Sequence, residues 1–401
     1  MRFDEQQETP LFAALKKYVN DKTVSFHVPG HRGGRGIPEF CDFAGRNIMS
    51  IDVTSGILDL DTICNPTGVI HEAEELAAHA FGADHAHFLV NGTTSGIQAM
   101  ILSVAGPGDE IIIPRNAHRS VVGALILSGV HPVYIKPVIN EYMGIAMGIT
   151  VESVRRALVE HPNAKAVFVI NPTYYGVASD LKKIVEVAHS YGKPVIVDEA
   201  HGAHLKFHPD LPLSAMEAGA DISATSMHKL GGSLTQSSIL LVKSDYVDDR
   251  TVKAALNLTQ TTSPSYLLMA SLDVARKQMA LKGRQMLDET IKRCERTRRQ
   301  LNSIEGIYVM GHDIEGTEGC FAYDPTKLAI NLRELGLSGF ETEKILKYKY
   351  HIQMELSDLY NVLAVGAIGD TDKNMNILIN AIKDIAAKNR RKNVVKVPAD
   401  I

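Results

Sequence analysis

The chain has 401 residues, 45% of them hydrophobic and 22% charged, with a formal net charge of −4. That length suffices for two domains with a sizeable core, and the composition is that of an ordinary globular protein. The slightly acidic balance gives no electrostatic footprint for a nucleic-acid partner, and no apolar run approaches the ~20 residues needed to span a membrane. Cys41, Cys64, Cys294 and Cys320 are scattered without a C-x-x-C pair, so neither a zinc site nor a disulfide framework is expected. A charged, mixed N-terminus without the apolar core of a signal peptide, together with this cysteine usage, points to the cytoplasm.

The stretch HVPGHRGGRGIPEF at 27–40 is rich in Gly and Pro and reads as an extended arm or loop. Short apolar runs then alternate with amphipathic stretches. Strands are expected at 86–90, 110–114, 131–137, 164–170, 194–197, 222–226 and 238–243, and helices at 95–105, 118–128 and 181–191. Strands alternating with helices indicate crossover units and a parallel sheet. The lack of polar alternation within the runs implies that both sheet faces are covered. After about residue 265 the pattern changes to a long helix rich in Lys, Arg and Glu at 267–302. Short strand-like pieces follow, with helices at 340–348 and 373–387, as in a smaller α+β domain. The expected division is an N-terminal arm at 1–45, a large domain at 46–275 and a small C-terminal domain at 276–401. The basic stretch KNRRKNVVK at 388–396 reads as a solvated end.

An open parallel sheet places its sites at the carboxyl ends of its strands, and four polar clusters fall there. NGTTSG at 91–96 follows a strand and opens a helix. Its glycines, the Thr94 and Ser95 hydroxyls and the free helix N–H groups suit a phosphate, and suit equally a plain turn with a Ser or Thr cap. Asp198 ends a buried strand, where a carboxylate needs a cationic partner. A protonated pyridine nitrogen would serve, as would a structural ion pair. Lys229 follows a strand among Ser226, His228 and the pair Gly231–Gly232. A lysine that forms a Schiff base must be lowered from its ordinary ~10.4 by burial and neighbours. His118 follows a fourth strand, where an aromatic ring either stacks on a cofactor or caps a helix.

The order phosphate cup, Asp198, Lys229 resembles that of pyridoxal 5'-phosphate (PLP) enzymes on the aspartate-aminotransferase-like fold. More narrowly, the chain resembles the Orn/Lys/Arg decarboxylase family from about residue 10 to 370. The likeness is carried by FHVPGHRGG at 26–34, VNGTTSG at 90–96, DEAHG at 198–202, SMHK at 226–229, TTSPSY at 261–266 and QMELSD at 353–358. It implies an α/β fold of type I, with a mostly parallel central sheet flanked by helices in a PLP-binding large domain. It implies Lys229 as the Schiff-base lysine, Asp198 as partner of the pyridine nitrogen, and His118 and Ala200 on opposite faces of the ring. Thr94, Ser95 and Ser226 would bind the phosphate, with His228 beside the Schiff base. Thr261 and Ser263 match residues that reach the phosphate of a neighbouring subunit, which implies a homodimer with a shared active site. Glu355 and Asp358 are acidic candidates where substrate enters. The implied reaction is decarboxylation of arginine, lysine or ornithine to the amine, with Asp198 keeping the ring nitrogen protonated and Lys229 or His228 returning a proton to Cα.

Two departures bear on substrate. Family members often continue into a further C-terminal segment, and LDLDTICNP at 58–66 replaces a more common Gly-Leu-Asp-Asp-Leu stretch. A second reading therefore keeps PLP and changes the bond cut, giving an aminotransferase, elimination or cyclisation enzyme. An aminotransferase usually clamps the α-carboxylate with an arginine from its small domain. Arg333 is the only candidate there, within a stretch (NLRELGLSG) that looks like an ordinary decarboxylase segment. DEAH at 198–201 also spells a helicase box, but no loop ending in Gly-Lys-Ser/Thr accompanies it. His201, His204 and His208 have no familiar metal-ligand spacing, so no metal is expected. A non-catalytic relative is disfavoured by the complete set of cofactor residues.

Overall fold

The computed structural model describes residues 3–243 and 245–389, so the basic stretch at 388–396 lies almost wholly outside the described residues. Seven strands form the central sheet: β1 (His85–Leu89), β2 (Glu110–Pro114), β3 (His131–Ile135), β4 (Val167–Ile170), β5 (Val195–Asp198), β6 (Ile222–Thr225) and β7 (Ser238–Val242). Their spatial order is β1-β7-β6-β5-β4-β2-β3. The strands β2 to β6 run parallel, and β7 alone is antiparallel to both of its neighbours. The reversal follows from its connection. A parallel return needs a crossover, usually a helix that packs across the sheet, whereas the segment between β6 and β7 holds only the four-residue helix Met227–Leu230.

Successive strand residues point to opposite faces, and here both faces are apolar. Val195 and Val197 join one buried cluster with Val167, Val169, Ile239 and Leu241. Ile196, between them, joins the other with Phe168, Ile222 and Leu240. Helices cover both faces, as the uninterrupted apolar runs require. Among them, α1 (Pro10–Asn20) buries Leu11 and Leu15 against Ile70 and Ala77, so the charged N-terminal stretch conceals an amphipathic helix. On the opposite face, α2 (Gly92–Val104) approaches the sheet closely at Gly96. A Cβ there would lie 2.7 Å from Leu89 Cδ1 and 3.1 Å from Ala224 Cβ. The helix α3 (Leu181–Ser190) starts where Asp180 accepts a hydrogen bond from Lys183 N, and buries Leu181, Ile184, Val185 and Ala188 at helical spacing.

The long expected helix is α4 (Tyr266–Asn302), 37 residues capped by Ser265. Its first half packs Tyr266, Met269, Leu272 and Met279 into the main core. Its second half packs Cys294 and Leu301 into a separate one. The expected domain division at 275/276 falls within this helix. The second core belongs to a four-stranded antiparallel sheet of β8 (Tyr308–Val309), β9 (Lys327–Asn331), β10 (Leu356–Ser357) and β11 (Asn361–Val365), ordered β8-β9-β11-β10. The helices α5 (Gly339–Tyr350) and α6 (Asp372–Asn389) contribute Leu346, Leu378 and Ile382 to it.

Candidate active site

In register, Ile170 pairs with Asp198 and Asp198 with Ala224, so β4, β5 and β6 end along one line. The loops after these strands, and those after β1 and β2, open on a cavity of about 600 Å³. Asn91, Thr93, Thr94, Asn116, His118, Asp198, Ala200, His201, Ser226, His228 and Lys229 line it, with Tyr174 and Tyr175 from the loop after β4.

At one end lies the N-terminus of α2, whose first residue, Gly92, has φ +72°, a conformation favouring glycine. Thr93 Oγ1 lies 2.6 Å from Ser226 Oγ and 2.9 Å from Ser238 Oγ, which ties the starts of two helices to β7. The Thr94 side chain is exposed to the cavity. Ser95 is turned away: it is buried, and its hydroxyl donates to Gly92 O at 2.9 Å.

Asp198 is buried and accepts the Ala200 N–H at 3.0 Å. Burial pushes its pKa up, against the Ala200 N–H and the charges of Lys229 and His118. Across the cavity, burial pulls the Lys229 amine below its ordinary range, with Asp198 and Glu355 opposing and Lys327 assisting. Lys229 Nζ lies 2.8 Å from His201 Nε2. The His201 imidazole is held well below its ordinary pKa by burial and then by the Lys229 charge, so it is neutral. His228 donates Nδ1–H to Ser237 O at 3.0 Å, and burial lowers its pKa too. His118 stands exposed at the mouth, where its Nδ1 accepts the Ser120 N–H at 3.2 Å and caps a helix.

Besides Ser95, four expected residues lie outside the lining. Thr261 donates its N–H to Asn91 Oδ1 at 3.3 Å, and Ser263 is exposed with its N–H on Thr261 Oγ1 at 3.1 Å. Glu355 and Asp358 sit behind the lining tyrosines, accepting hydrogen bonds from the Tyr174 and Tyr175 hydroxyls. Asp358 also accepts the Tyr360 and Asn361 N–H groups, each at 2.8 Å, as a turn residue does. Arg333 donates to Tyr142 O at 3.0 Å and lies over the Tyr142 and Tyr360 rings, away from the cavity. The loop at 58–66 is anchored by Asp61, which accepts the Thr62 and Gly68 N–H groups at 2.8 and 2.7 Å. His204 pairs with Asp324 and His208 with Asp288, each at 3.1 Å. Among the described residues no cluster is disposed to hold a metal ion, and no helix is long and apolar enough to cross a membrane.

Tyr174 and Tyr175 are not among the residues expected from the sequence, and His201 enters there within the DEAHG motif and as a possible metal ligand, without a role in the site. The signal was present: NPTYYG at 171–176 begins where β4 ends, on the edge where an α/β sheet builds its site.

The donor set suits PLP. A helix N-terminus with hydroxyls suits a phosphate, a buried acid suits a ring N–H, and a desolvated amine suits an aldehyde. The class so defined is that of the fold type I, PLP-dependent enzymes. A Sphingomonas wittichii serine palmitoyltransferase structure shares this fold, with a TM-score of 0.66 at 16% identity over 89% of this chain and 83% of that one. More narrowly, the profile described as "Orn/Lys/Arg decarboxylase, major domain" matches residues 9–374, and the chain belongs to that family of PLP-dependent decarboxylases of basic amino acids. It is 52% identical to the arginine decarboxylase of Bacillus subtilis (strain 168) over 397 residues, covering 99% of this chain and 81% of that protein. It also resembles the structure of the Francisella novicida lysine decarboxylase LdcF, with a TM-score of 0.83 and 26% identity, covering 94% of this chain but 60% of that one. The family and fold expected from the motifs therefore hold.

Proposed function

We propose that the chain is a cytoplasmic, homodimeric arginine decarboxylase that converts L-arginine to carbon dioxide and agmatine. The observation that carries the chemistry is the desolvated Lys229 amine sharing one cavity with the buried Asp198 carboxylate. Arginine is favoured over lysine and ornithine by the extent of the likeness to the Bacillus subtilis enzyme. Glu355, behind the Tyr174 hydroxyl, is a carboxylate of the kind that a guanidinium engages with two hydrogen bonds.

Lys229 would hold the cofactor covalently, and Asp198 would keep a proton on the ring nitrogen. His118 and Ala200 would flank the ring. Thr94, Ser226 and the N–H groups opening α2 would bind the phosphate, with Ser95 bracing that turn. When bound, PLP supplies the electron sink that allows the bond between Cα and the carboxylate carbon to break. Lys229 Nζ would then deliver a proton to Cα; His228, whose Nδ1–H is engaged by Ser237 O, would do so from Nε2 only as an imidazolium, the form that burial disfavours. Thr261 and Ser263 would serve the partner's phosphate. The exposed Phe26, Phe43 and Leu58 leave apolar surface for a partner subunit to cover. Aminotransfer is disfavoured because Arg333 is committed to Tyr142 and Tyr360.

The test is a product assay on PLP-loaded protein with arginine, lysine and ornithine separately. Carbon dioxide and agmatine in equal amounts from arginine are expected. A spectral change without carbon dioxide would mean that another bond at Cα is cut, and preferred turnover of lysine would reassign the substrate.

A further inference from the structure

We propose that His201 is a positioning residue for Lys229: its imidazole accepts a hydrogen bond from the lysine amine whenever that amine is free, and so fixes where the amine waits. This rests on the reading of Lys229 as the cofactor lysine. The contact is 2.8 Å between Nζ and Nε2. A lysine ammonium has three donors and no acceptor, so Nε2 is the acceptor toward it. The ring is buried, and the Lys229 and Lys327 charges both act against an imidazolium, outweighing the Asp324 carboxylate that favours one.

The imidazole is itself held in place. Its ring lies 4.1 Å from that of Tyr174, centroid to centroid. The Tyr174 hydroxyl donates to Glu355, which precedes β10 in the small sheet. Lys229 Nζ in turn lies 5.5 Å from the Tyr174 ring. A line of contacts thus runs from the lysine after β6, through His201 and Tyr174, to a carboxylate of the second sheet. A lysine side chain turns about four single bonds, and one fixed acceptor selects among its rotamers.

The step that this arrangement serves is capture of the cofactor. The lone pair of the neutral Lys229 amine adds to the aldehyde carbon. A carbon–nitrogen double bond forms, and the aldehyde oxygen leaves as water with the two amine hydrogens. No oxidant or reductant is required.

The test is the rate at which full-length apoprotein gains visible absorbance when PLP is added, for the wild type, Lys229→Ala, His201→Phe and His201→Gln. Phe keeps a ring against Tyr174 and loses the acceptor, whereas Gln loses the ring and keeps an acceptor. His201→Phe is expected to capture PLP about tenfold more slowly, and His201→Gln to recover most of the wild-type rate. Capture by His201→Phe at the wild-type rate, or equal slowing in both variants, would overturn the proposal. If His201→Phe does not fold, the isosteric pair His201→Gln and His201→Met makes the same comparison, and equal rates would overturn it. Failure of the wild type to gain absorbance, or a gain by Lys229→Ala, would instead remove the underlying reading of Lys229.

Discussion

Glu199 follows Asp198 at the end of β5, is 2% exposed, and has no part in the chemistry derived above. Its carboxyl accepts the Ala215 N–H at 2.6 Å and the Ser223 hydroxyl at 3.4 Å, and the charges acting on it, Glu217 and Asp198, are both negative. Burial pushes its pKa from the ordinary 4.5 up to about 8. Between those values the folded chain holds a proton that the unfolded chain has released, so Glu199 makes folding less favourable as pH rises. One proton of difference corresponds to a slope of about 1.4 kcal/mol per pH unit, or roughly 4 kcal/mol over three units. Glu199→Gln keeps the shape and one acceptor but cannot ionise. Urea unfolding of apoprotein at about pH 5, 6 and 7, followed by circular dichroism, measures the slope for each protein. The wild type should lose stability with rising pH faster than the variant, by about 1.4 kcal/mol per unit. Burial also raises Glu74, to about 7, but that residue is common to both proteins and drops out of the difference. Parallel profiles would show that Glu199 is ionised in the folded protein and would refute the reasoning.

Asp198→Ala should retain PLP, as judged by its visible absorbance, while losing about a hundredfold or more in kcat; near-normal turnover would remove Asp198 from its place opposite the ring nitrogen. Lys327, Asp324 and His204 form a fully buried trio, with Lys327 Nζ 2.8 Å and His204 Nε2 3.1 Å from Asp324 Oδ2. Lys327→Met strips the main countercharge from Asp324 and should cost roughly 3–5 kcal/mol, read as a fall in the urea midpoint; a loss below about 1 kcal/mol would mean that His204 and Thr326 satisfy the carboxylate without it. Thr261→Ala combined with Ser263→Ala should weaken PLP retention without altering secondary structure, as measured by absorbance titration; unchanged affinity would argue against a phosphate site shared between subunits.

The main architecture was readable because apolar runs and strand ends are local properties of the chain. Val195 to Asp198 is recognisable as a strand covered on both faces from its composition alone, and a carboxylate at its end demands a partner wherever the strand lies. The direction of β7 was not readable that way, since it depends on how little of the segment after β6 is helical. Residues 1–16 show a mixture of charges, and only the folded chain reveals that Leu11 and Leu15 share one buried face. In the site, the residues found first were those whose chemistry is unusual at their position, namely Lys229 and Asp198. The meeting of His201, Tyr174 and Lys229 is not legible in the sequence because it is relational. A histidine and a tyrosine acquire meaning only once their rings meet and Lys229 lies within reach. Ser95 shows the opposite case: a hydroxyl at a helix start looks available, and its rotamer, turned onto Gly92 O, cannot be read from spacing.

The helix α4 is fastened by guanidinium groups toward both of its ends. Arg298 donates to the carbonyls of Met310, Pro325 and Lys327 at 2.8 to 2.9 Å, locking the helix to the small sheet. Arg276, fully buried, donates to Asp273 and to the carbonyls of Gln6 and Glu8, at 2.7, 2.9 and 2.6 Å. The opening residues therefore act as a plug rather than a tail. Trimming the chain to begin at α1 would leave the buried Arg276 with Asp273 but remove three of its acceptors, Gln6 O, Gln6 Oε1 and Glu8 O. An expression tag placed at that end should leave the buried Gln6 and the Glu8 carbonyl on Arg276, and a protease that clips just after them should loosen the whole molecule, because the helix they secure is shared by both cores.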